Sequence, residues 1–209
     1  MKKITDIKPQ VKNKTRCNVY LDNLFFCGLE LETVVKHRLK IGDAVEEERL
    51  GEIQRESEIS RAFDKALGFI SRSKKTEKQI CNYLNGKGYL PSTVSAVIEK
   101  LKDYRFLSDA EYAEDYVAAY SANKGKRLLK MELSYKGVSE EDAENALASL
   151  GDESENAARV AEKYMRGKEH TRETAGKCYR YLISKGFDYE TAKTASEKYR
   201  SDGNEEDDL

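Results

Sequence analysis

Apolar residues at helical spacing recur in three stretches of the chain, and a Lys-Gly pair precedes each stretch. The pair belongs to a Leu-x-x-Lys-Gly anchor whose glycine stands at Gly88, Gly137 and Gly186, a constant interval of 49 residues (137 − 88 and 186 − 137). After each glycine comes a set spaced i, i+3, i+4 and i+7, which places its members on one helix face. One Lys-Gly pair is an ordinary helix stop, but three in phase predict a tandem helical array.

Each repeat is predicted to contain three helices. Capping patterns at Ser108, Ser139 and Asp188 predict that a helix begins at each of these residues. The other predicted helices span 62–71, 76–87 and 92–104 in the first repeat and 127–136 in the second, and in the third one begins near Glu153 and one spans 171–185. The predicted fold class is therefore mainly α, with three three-helix repeats in tandem behind a small N-terminal unit that contains a β-hairpin.

Turn and strand signals dominate the N-terminal unit. The β-rich runs 16–21 and 24–27 flank Asp22-Asn23, a two-residue turn signal, and predict the hairpin. Residues 4–7 predict a further short strand. A helix at 30–39 then has helical spacing of its apolar residues Leu31, Val34, Val35 and Leu39.

The composition along the chain predicts where one segment ends and the next begins. The predicted boundaries are 1–45 for the β-rich N-terminal unit, 46–60 for a connecting helix, 61–107, 108–151 and 152–200 for helical repeats 1 to 3, and 201–209 for a disordered acidic tail. The Glu- and Arg-rich connecting helix is predicted to be solvated. Because each repeat has too small an apolar stripe to be stable alone, we expect neighbouring repeats to bury one another in an elongated array.

Composition limits the classes of protein to which the chain can belong. Charged residues make up 36% of it, and no apolar run approaches the roughly 20 residues of a membrane span. The N-terminus turns polar too soon for a signal peptide. The four cysteines are isolated, which argues against a disulfide framework and a zinc site. We therefore expect a cytoplasmic protein that makes no membrane contact.

Sequence motifs for catalysis and cofactor binding are missing. None of the Gly-Lys pairs is followed by the hydroxyl residue of a phosphate-binding loop, and no Gly-x-Gly-x-x-Gly follows a predicted strand. His37 and His170 stand in no recognisable catalytic motif. We expect a protein that is not an enzyme, holds no metal and needs no cofactor.

Basic residues cluster just before and within the middle helix of each repeat, and some of them keep the 49-residue interval. Such residues usually form a solvated face. The alternative is a ladder of contacts with phosphates or an acidic surface. The candidate filament- or DNA-binding residues are Arg72, Lys74, Lys75 and Lys78 in the first repeat, Lys124, Lys126, Arg127 and Lys130 in the second, and Lys168, Arg172, Lys177 and Arg180 in the third.

Three phrases of the sequence are similar to those of a known family. Arg72-Ser73 and the basic helix that ends in Tyr-Leu-Asn-Gly-Lys-Gly-Tyr at 83–89 resemble the first-repeat signature of the RecX regulatory proteins. Residues 105–113 resemble their second-repeat opening, and residues 124–138 resemble the helix and stop that follow. The resemblance covers about residues 60–200, and the N-terminal unit is similar to an extension found in some members.

The resemblance implies a non-enzymatic modulator of the RecA recombinase. Family members bind along the groove of the RecA–DNA filament, bridge successive protomers, and inhibit ATP hydrolysis, strand exchange and co-protease activity. Some also bind DNA, so single- or double-stranded DNA is an expected partner, directly or through the filament. We expect a monomer. Two alternatives stay open: a general nucleic-acid-binding helical-repeat protein, and a protein-binding scaffold without DNA contact.

Overall fold

A computed structural model describes residues 1–200 of the chain. The segment 201–209, predicted to be a disordered acidic tail, lies outside the described residues. The described chain divides into two compact units: residues 1–74 with 80–107, and residues 75–79 with 108–200. None of the described helices is long and apolar enough to cross a membrane.

The N-terminal unit is a four-stranded antiparallel sheet. Its strands are β1 (Lys2–Pro9), β2 (Arg16–Leu21), β3 (Leu24–Glu30) and β4 (Ala44–Val45), in the spatial order β3-β2-β1-β4. Asp22 and Asn23 both take a positive φ, 47° and 68°, as the turn of a tight hairpin requires. The predicted hairpin is therefore confirmed, whereas β1 is longer than predicted and β4 was not predicted.

Two helices complete the packing of the sheet, and the structure differs from the predictions in the length of the first and in the burial of the second. Helix α1 (Leu31–Lys36) is shorter than the predicted 30–39. Because α1 has fewer than two turns, only one narrow side of it faces the core of the sheet. Val34 is therefore buried, while Leu31 and Val35 are 48% and 69% exposed.

Helix α2 (Glu47–Ile70) is one long helix that combines the predicted connecting helix 46–60 and the predicted helix 62–71. Leu50 and Ile53 of its first half lie in the core of the sheet, and the Ser57 hydroxyl accepts a hydrogen bond from the Glu30 N–H at 2.8 Å. The prediction of a solvated connector is therefore wrong. The apolar positions of this segment are few and stand among charged residues, which hides their helical spacing.

Eight further helices form the rest of the described chain. They are α3 (Glu77–Gly86), α4 (Pro91–Asp103), α5 (Asp109–Tyr120), α6 (Lys126–Lys136), α7 (Glu140–Ala148), α8 (Ser154–Met165), α9 (Arg172–Ser184) and α10 (Tyr189–Glu197). The side chains of Ser108, Ser139 and Asp188 each accept a hydrogen bond from the backbone N–H three residues later, which confirms the predicted caps.

The anchors and apolar stripes occupy the positions predicted for them. The anchor leucines Leu84, Leu133 and Leu182 are fully buried, each in the core of its own repeat. The three anchor glycines have φ values of +83°, +94° and +89°, the left-handed conformation of a helix stop. Each repeat therefore has its own apolar core.

Candidate partner-binding residues

The helix stop at Gly137 receives the segment 75–79, which belongs to the same compact unit. The buried Thr76 hydroxyl donates a hydrogen bond to the Lys136 carbonyl at 2.7 Å, and the Lys78 ammonium donates to the Tyr135 carbonyl at 2.9 Å. These bonds satisfy carbonyls that the end of α6 leaves without helical partners. A Cβ on Gly137 would lie 2.5 Å from the Lys78 Cβ, so only glycine permits this approach.

The helix stop at Gly186 receives the start of α6 in the same way. The Gly125 N–H donates to the Lys185 carbonyl at 2.9 Å, and the Arg127 N–H donates to the Gly186 carbonyl at 3.2 Å. A Cβ on Gly186 would overlap Leu128, and a Cβ on Gly125 would overlap the Gly186 carbonyl. The partners lie 49 residues after those at Gly137 (125 − 76 and 185 − 136). We call these two contacts the repeat joints.

The repeat joints change the interpretation of the basic residues in the first repeat. Lys78 is exposed, but its ammonium forms part of a joint and lies 5.6 Å from the centroid of the Tyr135 ring. Lys75 is half-buried, and Arg72 and Lys74 are exposed in the connection between α2 and α3. Lys78 therefore has a structural role that its sequence position does not reveal.

In the second repeat, Lys124 belongs to a half-buried network. Its ammonium lies 2.7 Å from both carboxylate oxygens of Glu132, and the Tyr116 hydroxyl donates to the same carboxylate at 2.8 Å. Burial, and then the hydrogen bond to Glu132, raise the pKa of Tyr116. Burial alone would raise the pKa of Glu132 as well, but the bonds from Lys124 and Tyr116 outweigh it and lower that pKa. This network ties α5 to α6.

The remaining basic residues of α6 divide between structural and exposed roles. The Lys126 ammonium donates to the Gly151 carbonyl at 3.1 Å. Lys130 pairs with Glu140 at 2.7 Å and with Glu144 at 2.8 Å, and so connects α6 to α7. The Arg127 side chain is exposed and makes no hydrogen bond or ion pair within residues 1–200.

In the third repeat, two of the four candidates have partners. The Lys168 ammonium lies 3.2 Å from the centroid of the Tyr164 ring, and Lys177 pairs with Glu173 at 2.6 Å within α9. Arg172 and Arg180 are exposed and form no ion pair with any other described side chain.

Arg172 and Arg180 line an open groove of about 310 Å³ between α9 and α10. Lys193 lines the same groove, together with Tyr179 and Tyr189, whose rings meet edge to face at 5.9 Å. Sequence reasoning missed Tyr189 and Lys193. Tyr189 and Lys193 are four residues apart, about one helical turn, and this spacing in the sequence predicts that they lie on the same face of a helix.

The structure therefore singles out four of the twelve candidates, which we call the open arginines: Arg72, Arg127, Arg172 and Arg180. They are exposed, and none has a hydrogen bond or ion pair from its side chain to the rest of the described chain. Among the other candidates, Lys78, Lys124, Lys126 and Lys130 join separate segments, whereas Lys168 and Lys177 contact residues of the helix that each follows or belongs to. Within residues 1–200, no three His, Cys, Asp or Glu side chains are grouped to hold a metal ion.

Comparison with known families accounts for this architecture from end to end. The model of the regulatory protein RecX N-terminal domain matches residues 2–46. The models of the first, second and third RecX three-helix domains match residues 62–101, 108–147 and 152–195. The chain belongs to the RecX family. The predicted fold class, a mainly α chain with three three-helix domains behind a small strand unit, is confirmed.

Individual relatives cover nearly the whole of this RecX-family chain. Regulatory protein RecX of Clostridium botulinum (strain Eklund 17B / Type B) is 34% identical over 199 residues, which are 92% of this chain and 94% of the relative. That of Bacillus pumilus (strain SAFR-032) is 32% identical over 211 residues, 98% of this chain and 80% of the relative.

Solved structures agree with this assignment. A crystal structure of regulatory protein RecX matches with a TM-score of 0.73 and 25% identity, covering 94% of this chain and 100% of the other. RecX from Lactobacillus salivarius matches with a TM-score of 0.62 and 30% identity, covering 68% of this chain and 96% of the other. The chain is thus a member of a family of regulatory proteins.

Proposed function

We propose that this RecX-family chain binds the RecA–DNA filament and inhibits its recombinase, ATPase and co-protease activities. It acts as a cytoplasmic monomer and has no catalytic chemistry of its own. Family membership in four consecutive segments is the observation that carries this proposal. The open arginines supply the chemistry of contact.

Arginine suits such a contact because its planar guanidinium binds phosphate or carboxylate oxygens in pairs. Arg127 stands one residue after the first residue of α6, where a repeat joint fixes the backbone, so its side chain projects from a rigid base. Contacts of this kind position a protein on a nucleoprotein without reading base sequence, and they weaken as salt rises.

The test is the rate of ATP hydrolysis by RecA-coated single-stranded DNA. We expect the wild-type chain to inhibit hydrolysis at stoichiometric amounts. Reversing the charge of all four open arginines to Glu should abolish inhibition and leave the melting temperature within a few degrees, because these side chains have no hydrogen bond or ion pair to lose within residues 1–200. Lys78 and Lys124 are unsuitable for reversal, since their loss damages the fold.

A matched control reverses Lys12, Lys14, Arg38 and Lys40, four exposed basic residues in the N-terminal unit. This control should inhibit as the wild type does. If the wild-type chain leaves hydrolysis unchanged, the RecA proposal is wrong. If the chain inhibits hydrolysis and the reversed variant inhibits equally, the open arginines are not the contact, and the scaffold alternative without DNA contact gains support.

The groove between α9 and α10 favours a second candidate function, direct binding of single-stranded nucleic acid. Tyrosine rings stack on bases whatever their sequence, and the basic residues beside them suit phosphates. Binding of a labelled single strand should fall steeply with salt and should weaken in Tyr189→Ala. Equal binding by Tyr189→Ala and the wild type would exclude the groove as the binding site.

A further inference from the structure

A basic pocket lies in the first compact unit, away from every candidate named so far. It has a volume of about 400 Å³ and lies between β2, α2 and the turn that joins α3 to α4. Four basic side chains and one acidic side chain line it: Arg16, Arg61, Lys65 and Lys87, with Glu58. The lining therefore has an excess of three positive charges.

The fold holds one of these cations firmly in place. Arg16 donates from its Nη2 to the Gly28 carbonyl at 3.0 Å, across the β2–β3 pair. Its Nε lies 3.2 Å from a Glu30 carboxylate oxygen, close enough for an ion pair but without the alignment of a hydrogen bond. Even when Glu30 is counted with Glu58, two carboxylates face four cations, so an excess of two positive charges is left.

One buried polar atom in the lining supports the binding of a ligand. The Tyr89 hydroxyl, in the lining of the pocket, is buried and has no hydrogen-bond partner in the part of the chain that the structure describes. Proteins rarely leave a buried hydroxyl unsatisfied, because its lost hydration has no compensation. Burial raises the pKa of Tyr89, against the opposing effect of Arg61 and Arg16, so the hydroxyl is protonated at neutral pH and can donate.

The donors available select the class of ligand. Guanidinium, ammonium and phenol groups all donate, and a tetrahedral oxyanion accepts several such bonds at once. Helix α4 also begins at the pocket, with Leu90 as an N-cap residue that provides no side-chain hydrogen bond. The positive end of that helix favours an anion. We propose that this pocket binds a phosphate group.

Two sources of phosphate share this chemistry: the backbone of a nucleic acid and a free phosphate ion. The site is independent of the proposed action on RecA, because none of its residues is an open arginine. The test is a ¹⁵N-NMR titration of the full chain with inorganic phosphate at constant ionic strength, and a second titration with a short single-stranded oligodeoxynucleotide. The reporters are the backbone amides of Gly88 and Tyr89.

We expect phosphate to shift these amides and Arg61→Gln to weaken the binding about 10-fold, the loss typical of one hydrogen bond to a charged group. Tyr89→Phe removes a single oxygen atom and should weaken binding without unfolding the chain. Lys12→Gln, an equal loss of charge on an exposed side chain of the same unit, should bind within about twofold of the wild type.

The outcomes separate the sources and can overturn the site. Shifts of the same amides by phosphate and by the oligonucleotide, both weakened in Arg61→Gln, assign the site to a nucleic-acid backbone. Shifts by inorganic phosphate alone assign it to a free anion. If phosphate shifts neither amide, or if Arg61→Gln and Lys12→Gln bind alike, the pocket is not a phosphate site, whatever the ATPase assay shows for RecA.

Discussion

Substitution of single glycines by alanine should measure the energy of the repeat joints. Adding a Cβ to a glycine can cost free energy in two ways, through strain in a left-handed backbone and through collision with a neighbouring segment, and four glycines allow the two costs to be measured separately. Gly88 has a φ of +83° but no atom within 4 Å of the added Cβ, so Gly88→Ala reports conformational strain alone. Gly125 has an ordinary φ of −80°, but its Cβ would overlap the Gly186 carbonyl, so Gly125→Ala reports the collision alone. Gly137→Ala and Gly186→Ala combine both costs.

The magnitudes follow from these geometries. Left-handed backbone at a non-glycine residue costs about 1–2 kcal/mol, which is the loss we expect for Gly88→Ala. The collision at Gly125 is with backbone atoms, which cannot rotate away, and overpacking of this kind costs about 1–3 kcal/mol or more. Gly186→Ala should therefore lose about 2–5 kcal/mol as the sum of the two costs, if they are additive.

The assay is equilibrium unfolding of the full chain in urea, followed by far-UV circular dichroism. Gly68→Ala is the matched control, because Gly68 lies within α2 with nothing near its Cβ and alanine favours a helix by about 0.5–1 kcal/mol. The order of stability should be Gly68→Ala, wild type, Gly88→Ala, Gly125→Ala, Gly186→Ala. Equal losses at Gly88 and Gly186, or no loss at Gly125, would show that the joints do not stabilise the fold.

Three further predictions address other parts of the chain. Glu132→Gln should lower the free energy of unfolding by about 1–3 kcal/mol at pH 7, because it removes the charged partner of Lys124. The pKa of Glu132 is lowered in the folded protein, so the stability that its carboxylate provides is fully present above the unfolded pKa of about 4.3. In melting curves the difference between wild type and variant should disappear as the pH falls through the folded pKa. Leu50→Ala should cost about 2–5 kcal/mol in urea unfolding, whereas the exposed Glu52→Ala should change stability by less than about 0.5 kcal/mol; equal effects would mean that the first half of α2 is solvated after all. Burial raises the pKa of Cys27 to about 11, so mass spectrometry after brief alkylation at pH 7.5 should find Cys27 unmodified in the folded protein and modified after unfolding in urea.

The helix stops could be predicted because their physical requirement is local. A left-handed residue after an amphipathic helix needs glycine, and the glycine is visible in the sequence. The repeat joints could not be predicted in this way. Gly88, Gly137 and Gly186 stand in the same motif, yet only the last two meet another segment at close range. The sequence does not distinguish a glycine that is needed only for its positive φ from one that is also needed because a neighbouring segment occupies the place of a Cβ.

The roles of the basic residues were beyond sequence reasoning for a related reason. The carboxylate partner of Lys124 is eight residues away, and the partners of Lys130 are ten and fourteen away on the next helix. Exposed helices carry many acids at such distances, and only the packing of α5, α6 and α7 decides which of them pair. The same limit applies to the pocket beside Tyr89, whose lining comes from three separated segments.

Position 83 of the first repeat and its equivalents show how the period is maintained by packing. Tyr83 stacks on Phe69 at 4.3 Å, and Tyr181, two intervals later, stacks on Tyr164 at 4.4 Å. The middle repeat has Glu132 at this position (132 − 83 and 181 − 132), where a tyrosine hydroxyl and a lysine ammonium replace the stacked ring.

The anchor lysine of the middle repeat lies near a tyrosine ring of another helix, unlike the anchor lysines of the first and third repeats. Lys87 and Lys185 lie 5.6 Å and 5.2 Å from the ring centroids of Tyr83 and Tyr181, each one turn earlier on its own helix. Lys136 instead lies 5.1 Å from the ring of Tyr116, on the neighbouring helix α5. Every anchor lysine therefore lies near a tyrosine ring, an interaction worth about 0.5–1 kcal/mol at an exposed site. Packing alone is a sufficient reason for these lysines to recur.

A basic residue that keeps the 49-residue interval is thus weak evidence for a binding site. Lys78 and Arg127 occupy equivalent positions (127 − 78), yet the Lys78 side chain bonds to a carbonyl at one joint, whereas only the backbone of Arg127 takes part in the other. The Arg127 side chain is left exposed to solvent. The 49-residue interval of the basic residues follows from the positions that the repeat joints and the ring contacts need. A partner can bind only those side chains that the joints leave exposed.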